Sequence, residues 1–156
     1  MTQEILITLG DPLGIGAEVT AKALKSFQSK IPIKVIGCAK HLRDFEKSLF
    51  DSLDIEFINV DSSSRTLGTA EAGQISRLSL ETAIQEIQNR PQDKALVTAP
   101  ISKTHIKLAG FDFPGHTEFL CHEFSIKRFA MMLFHDELRV VLATIHEPLK
   151  TVPNLL

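Results

Sequence analysis

The chain has 156 residues, 44% of them apolar and 23% charged, with a net charge of −2. That profile fits a globular chain of one domain's length with a real core, and it excludes a nucleic-acid or anionic-membrane surface, which needs a basic excess. The first residues enter a strand without a basic n-region, and no apolar run reaches membrane-spanning length, so a cytoplasmic location is expected. Cys38 and Cys121 are isolated, with no C-x-x-C pair, which predicts free thiols and no structural zinc knot.

Ile5 to Leu9 is a nearly continuous apolar run, the pattern of a strand buried on both faces. It breaks at a loop with three glycines, Gly10 to Gly16. A helix is expected next, with Glu18 in its first turn and Val19, Ala23, Leu24 and Phe27 at helical spacing. Pro32 closes it, and Ile33 to Gly37 reads as a second strand. Residues 40–53 read as a helix with Leu42, Phe45, Leu49 and Phe50 on one face. Ile55 to Val60 alternates like a strand near an edge. After the loop Asp61 to Ser64, residues 72–89 carry Ile75, Leu80, Ala83, Ile84 and Ile87 on one helical face, and Pro91 ends that helix. Ala95 to Thr98 reads as a further short buried strand, and a turn of helix is expected within residues 101–108.

Pro114-Gly115-His116-Thr117-Glu118 follows as a turn that opens a helix through Phe119, Leu120 and Phe124. Phe129 to Phe134 and Leu138 to Thr144 read as a hairpin around residues 135–137, which predicts a mixed sheet. Strands alternating with helices imply an α/β three-layer sandwich with a mostly parallel sheet. Thr151 and Pro153 resemble a helix start with only three residues behind it, too few to nucleate. The chain is therefore expected to stop partway through its natural fold.

Three segments carry possible chemistry. The loop Gly10 to Gly16 lies between a strand and a helix, where backbone N–H groups can approach a phosphate or carboxylate. It matches neither G-x-G-x-x-G nor a Walker loop, and a tight strand–helix turn explains it equally well. Asp11 could orient a ligand or cap the turn. Thr98 to Lys103 places two hydroxyls and a lysine just past a strand; a solvated lysine is the commoner outcome. His116 and Thr117 stand at a helix N-terminus, and both Thr98 to Lys103 and Ala143 to His146 are expected to converge on them at strand C-terminal ends. His41, His105, His122 and His135 read as surface residues. On pattern, His146 is more often a satisfied structural histidine than a ligand, and no local metal-binding spacing is present. No serine occupies a G-x-S-x-G elbow.

Ile7 to Glu18, Val97 to Lys103, Pro114 to Leu120, Met131 to Leu133 and Leu138 to Leu149 together resemble the 4-hydroxythreonine-4-phosphate dehydrogenase family, in order and spacing. Each motif alone is weak; five in register are specific. The chain matches only the N-terminal half of a family member, so residues 1–156 are expected to be the N-terminal portion of a longer two-domain dehydrogenase, inactive alone. The resemblance implies an isocitrate dehydrogenase-type fold. It also implies oxidation of 4-phosphooxy-L-threonine with NAD or NADP, followed by decarboxylation to 3-amino-2-oxopropyl phosphate in vitamin B6 biosynthesis. By the same resemblance His116 and Thr117 bind the phosphorylated substrate. His146 is one ligand of a divalent metal (zinc, magnesium or cobalt), whose other ligands lie beyond residue 156, and the full-length protein is a homodimer. NAD-contacting and catalytic residues are not assigned.

Leu13, Ala17 and Ser102 depart from the usual family residues. Ser102 keeps open a dehydrogenase of phosphorylated threonate. Two further readings are a non-catalytic phosphate-binding module and a relative of the phosphate acetyl- and butyryltransferases, which would not need His146 as a ligand.

Overall fold

The computed structural model describes residues 3–27, 30–61, 66–145 and 147–156. They fall into two compact units, residues 1–115 and 116–156. In the first, β1 (Glu4–Thr8), β2 (Ile33–Gly37), β3 (Glu56–Asn59) and β4 (Lys94–Thr98) form one parallel sheet in the order β3-β2-β1-β4. Helices α1 (Gly16–Ser26), α2 (Asp44–Asp51), α3 (Thr69–Asn89) and α4 (Lys103–Leu108) supply the connections. This is the expected α/β architecture, because parallel neighbours require crossover helices that cover the sheet.

The pleat of β1 divides the core. Ile7 and Leu9 join Val35, Ala21 and Leu24 of α1 and Phe50 of α2 in one apolar cluster. Leu6 and Thr8 point to the opposite face, as alternation demands, and α3 packs along β1 and β2. Ile75, Leu80, Ala83, Ile84 and Ile87 of α3 are all buried, as their spacing predicts. β3 is an edge strand, as expected from its alternation.

Three details differ from the pattern-based expectation. Helix α1 forms, yet its buried stripe is Thr20, Ala21 and Leu24, while Val19 and Phe27 are half exposed. The stripe turns because Gly16 and Ala21 allow close approach to the sheet where larger side chains would not. The segment at 40–53 divides into a 3-10 turn (Ala39–His41) and α2, and Phe45 stays outside with the Arg43 guanidinium 4.6 Å above its ring. β4 is an edge strand with Val97 half exposed, not a buried one.

The second unit holds α5 (His116–Glu123), the antiparallel pair β5 (Met132–His135) and β6 (Leu138–Val141), and a 3-10 turn at Leu149–Asn154. The hairpin forms as expected, with Asp136 at φ 45° in its turn, but as a separate two-stranded sheet. The four-stranded sheet is therefore wholly parallel. Apolar side chains line both faces of the hairpin and are exposed, Phe134 at 77%. The 3-10 turn begins at Leu149, ahead of the expected cap. Thr151 lies inside it, where its hydroxyl donates to the Pro148 carbonyl at 2.7 Å.

Candidate functional site

The sequence points to the strand C-terminal ends, and the first unit has its polar cluster there. β1 leads into the glycine loop through Gly10, whose φ of +69° suits glycine and whose Cβ would stand 2.2 Å from the Pro100 carbonyl oxygen. The two strand-end loops are thus pressed together, and the Asp11 N–H donates to the Pro100 carbonyl at 3.1 Å.

Asp11 is 5% exposed and both carboxylate oxygens are engaged. Oδ1 accepts the Leu13 N–H at 2.8 Å, a local turn that also brings the Gly14 N–H onto the Asp11 carbonyl at 2.9 Å. Oδ2 lies 2.8 Å from His105 Nδ1 on α4. An ionised carboxylate only accepts, so His105 Nδ1 carries the proton and donates it. Of the two roles open to Asp11, the structure shows the turn-forming one.

His105 corrects an expectation. It reads as a surface histidine, yet its side chain is 22% exposed and paired to a buried acid. The pairing spans ninety-four positions, so no local pattern announces it. Ser102 caps α4, its hydroxyl accepting the His105 N–H at 3.3 Å, while Lys103 is exposed. His122 and His135 are surface residues, as read.

In the second unit α5 starts at His116. His116 and Thr117 therefore occupy its first turn, where N–H groups and the helix dipole favour an anion. His116 Nε2 is buried and has no hydrogen-bond partner among the described residues. Burial holds its imidazole below the ordinary histidine value, favouring the neutral ring. A buried ring nitrogen without a partner leaves a polar group for a ligand to satisfy.

His146 lies outside the described residues. Among those described, no group of three or more His, Cys, Asp and Glu side chains could hold a metal ion. The described residues therefore do not by themselves fit the expected divalent metal. Cys38 and Cys121 are free thiols, and no described helix is long and apolar enough to cross a membrane. A hollow of about 530 Å³ opens at the other end of the sheet among Leu24, Phe27, Ile33, Leu53 and Ile55. Its charged lining, Lys30 and Asp54, stands ahead of β2 and β3 and not at the strand C-terminal ends.

The family described as Pyridoxal phosphate biosynthetic protein PdxA matches residues 8–156. A 4-hydroxythreonine-4-phosphate dehydrogenase of Sulfurihydrogenibium sp. is 34% identical over 97% of this chain and 52% of its own length. The D-threonate 4-phosphate dehydrogenase of Salmonella typhimurium is 29% identical over 96% of this chain and 52% of its own length. Among solved structures, the 4-hydroxythreonine-4-phosphate dehydrogenase of Klebsiella pneumoniae superposes with a TM-score of 0.80 at 29% identity, covering 99% of this chain and 53% of that one. The chain spans about half the length of these relatives. With nearly its whole length matched, the chain belongs to the pyridoxal phosphate biosynthetic PdxA family.

Proposed function

We propose that this chain supplies the N-terminal, substrate-holding part of an NAD-dependent dehydrogenase that oxidises and decarboxylates 4-phosphooxy-L-threonine. The product is 3-amino-2-oxopropyl phosphate, in vitamin B6 biosynthesis. Dehydrogenases acting on this substrate class are among the chain's relatives, and the observation that carries the reading is His116. It opens α5 beside Thr117 with a buried ring nitrogen that has no partner among the described residues. A neutral imidazole there can accept from or donate to a polar substrate group, while the α5 N-terminus favours an anionic one.

The nicotinamide cofactor supplies the hydride chemistry, and the protein's part is orientation and electrostatics. NAD rather than NADP is part of the proposal. His146 is the residue of this chain proposed for a divalent ion such as zinc, magnesium or cobalt, and the remaining donors would come from outside it. A homodimer in the cytoplasm completes the reading for the full-length protein.

A second reading, oxidation of phosphorylated threonate, is favoured by Ser102 and by the Salmonella relative. The test joins this chain to a family C-terminal half, confirms divalent-metal loading and follows NAD reduction with each substrate. NADH formed faster from 4-phosphooxy-L-threonine supports the first reading, and faster from phosphorylated threonate the second. NADH from neither, with metal bound, refutes both and leaves a non-catalytic phosphate-binding module. Turnover by the 156-residue chain alone would refute its proposed dependence on the second half.

A further inference from the structure

The Asp11–His105 couple has no role in the reading above, and it is the most specific long-range polar contact at the strand ends. We propose that it is a positioning device: His105 holds the loop Gly10 to Gly16 in one geometry against the segment after β4. What the loop is held for rests on the proposed function; the holding itself does not.

Four observations converge. The loop contains three glycines, so left alone it would sample many backbone states. Asp11 spends one oxygen shaping it, through the Leu13 N–H at 2.8 Å. The other oxygen receives His105 Nδ1 at 2.8 Å, at a carboxylate only 5% exposed. The Asp11 backbone is tied to Pro100 at 3.1 Å, so loop, strand end and α4 close into one ring of contacts. Replacing His105 by a residue without a donor leaves a buried carboxylate oxygen unpaired, and the loop must move to solvate it. Because Nδ1 donates to Asp11, the neutral ring carries its lone pair on Nε2, a fixed tautomer rather than a mixture.

The test compares the 156-residue chain with His105→Ala and His105→Gln; glutamine restores a donor toward Asp11. In hydrogen exchange, the Asp11, Leu13 and Gly14 amides should exchange about tenfold faster in His105→Ala, with β1 and α3 unchanged and His105→Gln close to the parent. Unchanged loop exchange overturns the proposal, and so does uniform acceleration across β1 and α3. Nitrogen-15 spectra of the parent should show neutral His105 protonated on Nδ1; a proton on Nε2 overturns the coupling even if His105→Ala fails to fold.

In the joined protein, His105→Ala should raise KM about tenfold with a smaller change in kcat and little change in Tm, and His105→Gln should reverse it. Unchanged kinetics beside a loosened loop overturns the positioning role. If the unsubstituted joined protein forms no NADH, the proposed function falls and the couple is judged on exchange and tautomer alone.

Discussion

Gly73 of α3 lies directly against the backbone carbonyl of His105: a Cβ there would stand 1.9 Å from that oxygen. The two helices meet main chain to main chain, and that close approach sets where α4 places its histidine. Alanine is the better helix former by roughly 1 kcal/mol, but overpacking costs about 1–3 kcal/mol. Gly73→Ala should therefore lower stability by about 2 kcal/mol at most, seen as an earlier urea midpoint. An unchanged or later midpoint would show that α4 slides aside at no cost.

The half-buried ring of His116 yields a pH prediction. Desolvation lowers its folded pKa below the ordinary 6.5, so on acidification the unfolded chain takes up the proton first. Its contribution to stability is intact above that value. It declines as pH falls below it, until the lowered folded pKa is reached. Proton NMR should find His116 titrating below the ordinary histidine value of 6.5. In His116→Asn the loss of stability between about pH 7 and pH 5 should be smaller. A His116 titration at or above 6.5 would refute this.

At the other end of the sheet, Lys94 is 8% exposed and lies 3.0 Å from both Glu4 and Glu86, while Lys34 lies 3.4 Å from Glu4. Burial pushes the Glu4 pKa up, but the Lys94 hydrogen bond and the Lys34 charge outweigh it and hold the carboxyl below its ordinary value. That stabilisation is present above the ordinary carboxylate pKa and is lost as pH falls through the lowered one. Lys94→Met should cost roughly 2 kcal/mol at neutral pH, discounted because Glu86 is partly solvated. The difference from the parent should shrink on acidification; a constant difference from neutral to strongly acid pH counts against the network.

Glu46, buried in the first turn of α2, accepts the Arg43 N–H at 2.8 Å and its Nε at 2.9 Å. Arg43→Met keeps the stem but removes the charge, leaving a buried carboxylate with only its backbone donor. A loss of about 2 kcal/mol is expected, and Arg43→Met with Glu46→Gln together should cost less than Arg43→Met alone. Strict additivity in thermal unfolding would show that the pair is not coupled.

The legible parts of this chain were those written in short-range pattern. The apolar run Ile5 to Leu9, the helical face from Ile75 to Ile87 and the Pro114-Gly115 turn ahead of α5 each carry their period or their breaker locally. Where packing chose between alternatives, pattern failed. Val19 and Phe27 share helical spacing with Leu24, yet the sheet selected the Thr20-Ala21-Leu24 stripe. The hairpin 132–141 was readable from two apolar runs, but not its separation from the parallel sheet, because pairing partners are not encoded in a strand's own residues.

The sequence by itself determined the α/β order of elements, the family and the placement of His116 and Thr117 at the head of a helix. These depend on residues a few positions apart. The tertiary structure decided that Asp11 and His105, ninety-four positions apart, are joined by a hydrogen bond from the imidazole to a buried acid. It also decided that His116 Nε2 is buried with no partner among the described residues. Both depend on which strands lie side by side and how closely the helices approach them, and a linear pattern carries neither.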